Sequence, residues 1–80
     1  MISCNHYDYI EIVCLYKYEV LLTLKSGESI QGVANDTKRN ENKQECILIK
    51  RETDSVLVVL DELVRLEVLT QNPKFKLVTF

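Results

Sequence analysis

Apolar positions along the chain follow two different periods. From about Asn5 to Tyr16 they recur at helical spacing, and at about 100° per residue Tyr7, Ile10, Val13 and Cys14 share one side. This predicts a helix over about 5–16 with that side on a core. Asn5 is placed to cap the free N–H groups, and Asp8, three residues on, to complete a partial capping box. The opposite side carries Asp8, Glu11, Ile12 and Leu15, two acids among two aliphatic residues. Acids near a helix start favour its dipole, which accounts for Asp8 without any function. It leaves Ile12 and Leu15 without a reason to be there.

From Tyr18 onward the pattern breaks into short β-rich runs, the signature of a small antiparallel sheet or barrel. The strands are expected at about 18–25, 29–36, 45–52, 55–60, 63–69 and 75–80. Ser26-Gly27-Glu28 supplies the first turn, because glycine takes positive φ without steric cost. Gly32 marks an expected bend or bulge within the second strand. Thr37 to Gln44 reads as a polar loop and Thr53-Asp54-Ser55 as a turn. Val56 to Leu60 is so continuously apolar that it predicts a central strand covered on both faces. The architecture expected is therefore mainly β: a helix and five or six strands curled into a barrel, the helix on its surface or plugging one end.

Eighty residues, 46% apolar and 28% charged, make one domain spanning 1–80 with one core. Three cysteines are an odd number and do not form a disulfide framework. No apolar run approaches the roughly 20 residues that span a bilayer, and the first residues lack a signal peptide's order, so a cytoplasmic protein is expected. The net charge of −2 argues against a grip on nucleic-acid phosphates, which needs lysine and arginine to displace counterions. Charge is also uneven: residues 1–36 carry a net −3 and residues 37–53 a net +2.

Catalytic chemistry finds no support. Cys4, His6 and Cys14 lack the paired spacing of a zinc site, so the cysteines read as core fillers, and the sequence around His6 carries no acid–base motif. No nucleophile elbow, phosphate loop or metal-binding helix occurs. The expectation is no enzyme, no metal and no cofactor. Tyr7, Tyr9, Tyr16 and Tyr18 cluster at a helix-to-strand junction, which reads as core packing with hydroxyls at the rim rather than a platform for bases. The acid and aliphatic residues of the helix instead suit a protein partner offering arginine or lysine around an apolar pocket. Lys38 to Lys43 reads as a solvated connection flanking that surface.

The string Cys4-Asn-His-Tyr7-Asp8-Tyr-Ile-Glu11-Ile-Val-Cys14 resembles the C-x-x-Y-D-x-x-E-x-x-C signature of the Rho-binding antiterminator family. Leu22-Thr23-Leu24, Lys25-Ser26-Gly27-Glu28 and the strand ending at Asn35-Asp36 are similar to that family's first hairpin. Beyond Thr37 the agreement lies in strand pattern and length. The resemblance implies an Sm-like barrel with an N-terminal helix; a monomer is expected when free, although exposed strand edges leave pairing into a ring open. It also implies a protein that binds the termination factor Rho and blocks its basic primary RNA-binding sites; with the net negative charge, no direct binding of nucleic acid is expected. It assigns partner contacts to Tyr7, Asp8 and Glu11, beside which the helix pattern sets Ile12 and Leu15. By length alone it extends to Asn40, Asn42 and Lys43 in the loop. The alternative is an Sm or Hfq-type RNA chaperone, because Leu22-x-Leu24-x-x-Gly27-x-x-x-x-Gly32 followed by Asp36 looks like the first Sm motif. Val56 to Asp61 shows none of the Arg-Gly or Lys-His residues through which those proteins touch RNA.

Overall fold

A computed structural model describes residues 4–71 and 73–80, the side chains of Cys4 and Asn5 excepted. It contains helix α1 (Cys4–Leu15) and six strands: β1 (Glu19–Leu24), β2 (Ser29–Arg39), β3 (Glu45–Lys50), β4 (Ser55–Val59), β5 (Leu63–Val68) and β6 (Leu77–Thr79). All six form one antiparallel sheet in the order β4-β3-β2-β1-β5-β6, with a 3₁₀ turn at Leu60–Glu62 joining β4 to β5. The mainly β class with an N-terminal helix is thus as the pattern predicted.

The helix starts at Cys4, so Asn5 lies within its first turn rather than capping it, and Asn5's side chain falls outside the described residues. Its far end closes without a glycine. Lys17 takes φ 53°, the Tyr18 N–H donates to the Val13 carbonyl at 3.0 Å, and the Lys17 N–H to that of Cys14 at 3.3 Å. These are the two bonds of a Schellman cap, and the buried pair Val13 and Tyr18 supplies the apolar contact that accompanies it. Ile10, Val13 and Cys14 enter a core shared with Val20 and Leu22 of β1, Ile47 and Ile49 of β3, and Leu66 of β5. Tyr7 packs half-buried at its margin.

Three expectations for the sheet are corrected. First, β2 runs three residues past Asp36, through Thr37, Lys38 and Arg39. These polar residues pair with Ile47, Cys46 and Glu45, and the ladder outweighs their loop-like composition. Second, Gly32 is not a bulge: it sits in register opposite Val20, and the irregularity falls between Ala34 and Asp36. Gly32 faces inward where β3 approaches closely. A Cβ there would lie 2.6 Å from the Ile49 Cγ2 and 2.6 Å from the Lys50 carbonyl oxygen.

Third, β4 is an edge strand, not a central one, with Leu57 39% exposed. Its continuous apolarity has a different origin. Val58 faces the core, while Leu57 and Val59 pair across the other face with Leu48 and Cys46 of β3. Cys46 is buried there, outside the main core, with its thiol 3.4 Å from the Gln44 carbonyl.

The β1–β2 turn is as expected. Gly27 takes φ 90°, and its N–H reaches the Leu24 carbonyl at 2.9 Å. The last strand is shorter than the pattern suggested, three residues in place of six. The segment before it is tied down by Tyr18, whose hydroxyl accepts the Lys74 N–H at 2.9 Å. Tyr9 meets Phe75 edge-on at 4.7 Å, and Tyr16 stacks on Tyr18 at 5.6 Å. The tyrosines therefore join the helix to the C-terminal segment. Among the described residues no helix is long and apolar enough to cross a membrane.

Candidate partner-binding surface

Asp8, Glu11 and Leu15 project from the side of α1 away from the core, and Leu15, 73% exposed, is the most open large apolar side chain described. Ile12 departs from the expected face. It is half-buried and packs against the core, because the end of α1 does not stand clear in solvent. Beyond Val33, β2 leaves β1 and pairs only with β3, and its freed edge passes beside the helix end. There the Lys17 ammonium donates to the Asn35 carbonyl.

Helix end and strand edge enclose an open groove lined by Glu11, Ile12, Leu15, Lys17, Asp36 and Thr37, with Cys14 at its base. The groove thus joins three of the expected contact residues to Asp36, which was not among the expected contacts. Asp36 is held in place by the Thr37 N–H, which donates to its Oδ1 at 2.8 Å. Only the Asn-Asp pair closing the expected strand hinted at it; nothing in the local pattern tells that the chain bulges there and turns toward the helix.

The groove's field is visible in Cys14. Burial pushes its thiol from an ordinary value of 9.0 up to about 11. The Asp36 carboxylate adds to the rise, Lys17 opposes it, and Glu11 contributes in the same direction as Asp36. At neutral pH the base of the groove is therefore an uncharged thiol. The raised value also has a sign for stability. The folded state holds its proton more tightly than the unfolded chain, so this contribution is complete below pH 9 and is lost as pH rises through about 11. The stability difference between the parent and Cys14→Ala is expected to shrink over that window in urea titrations. A difference that stays constant from pH 8 to about 11 would show that the thiol is not so perturbed.

The loop between β2 and β3 is ordered from within. The Asn40 Oδ1 accepts the N–H groups of Asn42 at 2.9 Å and Gln44 at 3.0 Å, and its amide donates to the Gln44 Oε1 at 3.0 Å. Lys43 sits at φ 63° with its N–H on the Asn40 carbonyl at 2.9 Å. Asn40 is thus the organiser of the turn, whereas Asn42 and Lys43 are exposed at its tip. None of the three lines the groove.

The six-stranded sheet carries an acid-and-leucine helix face beside a groove, a surface suited to a basic partner. The family of modulators of Rho-dependent transcription termination matches residues 1–80, and the chain belongs to it. That is a family of regulators, not of enzymes. The chain is also similar to a solved structure, YaeO bound to magnesium from Vibrio cholerae O395. The two share 47% identity over 92% of this chain and 96% of that one, with a TM-score of 0.88. No curated protein matches the sequence.

Proposed function

We propose that the protein inhibits Rho-dependent termination in the cytoplasm by binding Rho as a monomer and covering its basic primary RNA-binding sites. The acidic face of α1 makes the contact. The observation that carries this reading is the exposure of Asp8, Glu11 and Leu15 together on a helix whose other side is locked into the core. A surface that holds RNA must be basic, so complementary charge would speed the encounter. Burying Leu15 would add roughly 1.5–3 kcal/mol and slow dissociation. Asn42 and Lys43 at the loop tip are secondary contacts in this scheme, and Tyr7 supports the helix from its half-buried position. The Vibrio cholerae relative is described as bound to magnesium. Among the described residues of this chain no three histidine, cysteine or acidic side chains come together to hold a metal, and the proposed contact needs none.

The test is competition. The purified protein is expected to bind Rho and to displace single-stranded RNA from it, while showing little affinity of its own for that RNA at physiological salt. Tight, salt-sensitive RNA binding with no binding to Rho would favour the Sm-type chaperone and overturn the reading.

A further inference from the structure

We propose that the groove between the end of α1 and the bulge of β2 receives one basic side chain of Rho, its charged head between Glu11 and Asp36 and its aliphatic stem against Leu15. The inference rests on the reading of the protein as a Rho inhibitor and assigns that contact a specific receptor, half of which lies on the sheet.

Charge and shape both select this occupant. The groove presents two carboxylates from elements 25 residues apart in sequence, Glu11 on the helix and Asp36 on the strand, over an apolar wall of Leu15 and Ile12. Long basic side chains bury their methylene stems on such surfaces while the head stays polar. Of the described groups facing the groove, only Lys17 is cationic, and its ammonium is engaged by the Asn35 carbonyl, leaving the described lining with a net negative charge. Cys14 adds no charge at neutral pH. The Asp36 carboxylate is pre-oriented, because one oxygen already accepts the Thr37 N–H and the other is left for a partner. A group fixed before binding loses less freedom on forming its contact. Arginine fits better than lysine, since a planar guanidinium can donate to two carboxylates at once.

Affinity for Rho is measured for the full chain carrying Asp36→Asn, Glu11→Gln and both together, with thermal melting recorded for each. Asp36→Asn is expected to weaken binding about tenfold, and to cost clearly less when Glu11 is already Gln, because the two acids would share one cation. Asp36→Glu keeps the charge and is expected to recover part of the loss. It also separates a contact from a folding defect should Asp36→Asn melt early. If Asp36→Asn and Asp36→Glu both bind Rho as tightly as the parent while Asp8→Lys abolishes binding, the groove is not a receptor and the inhibitor reading stands. If Asp8→Lys and Glu11→Lys bind normally too, the acidic helix face falls with the groove, and the contact with Rho lies elsewhere on the protein. Independent, additive losses from Glu11→Gln and Asp36→Asn would likewise overturn the shared receptor.

Discussion

Reversing the charge of Glu11 to Lys is expected to weaken binding to Rho by more than about 2 kcal/mol, with Asp8→Lys acting in the same direction. The cost has two parts: the partner's cation loses its carboxylate, and a like charge is set beside it in a contact from which water is excluded. Folding should hardly notice. Both residues are exposed on the side of α1 away from the core, and substitutions at such positions usually stay within about 0.5 kcal/mol of the parent. Glu11→Lys is the more informative variant, because Glu11 also lines the groove with Asp36 whereas Asp8 does not. The measurement is Rho affinity, RNA displacement and melting at two salt concentrations. Raising salt should narrow the gap between parent and variant as charges are screened. If both variants melt with the parent and still clear RNA from Rho, the acidic helix is not the contact. The loop tip at Asn42 and Lys43 then becomes the next candidate.

Most of the fold could be read from periodicity, because a helix and a half-buried strand space their apolar residues differently and the chain changes from one spacing to the other near Tyr18. The departures have separate physical causes. Glycine is the usual signal for a helix end, but Lys17 adopts the left-handed conformation instead, held there by the Val13 and Cys14 carbonyls. Thr37 to Arg39 look like a loop but pair with an apolar strand, and their partners lie several residues further along. Val56 to Leu60 look central in sequence because apolarity on both faces suggests two covered faces. Here the second face belongs to a small cluster with Cys46 and Leu48 at the sheet's edge, a distinction that alternation alone cannot draw.

The candidate surface was legible where it is local and hidden where it is not. Asp8, Glu11 and Leu15 lie within two helical turns, so helical geometry alone groups them. Ile12 shares their arc yet is half-buried, because the edge of β2 comes alongside. Asp36 escaped for the same reason, since its approach depends on where β2 parts from β1. Asn40 was correctly placed in a polar loop, but its side chain is taken up by Asn42 and Gln44. A loss of Rho binding in an Asn40 variant would therefore report a disordered turn as readily as a lost contact.

The two glycines permit a test of why each is there. Gly32→Ala is expected to destabilise the protein by about 3 kcal/mol, at the upper end of what overpacking usually costs and a large share of a small domain's stability. The added methyl would lie 2.6 Å from the Lys50 carbonyl oxygen, an atom of the backbone that no side-chain rotation can move away. Relief would require β2 and β3 to separate at Val33 and Lys50, the position where β2 passes from one neighbour to the other. Gly27→Ala meets nothing within 4 Å, and its penalty is only that of holding a Cβ at φ 90°, about 1–2 kcal/mol. Urea denaturation of the two variants beside the parent separates these origins. Equal losses would mean that close approach is not what keeps residue 32 a glycine. A larger loss at Gly32 should also carry over to Rho binding near the melting point, because the strand it disrupts leads directly to the bulge that sets Asp36 beside the helix.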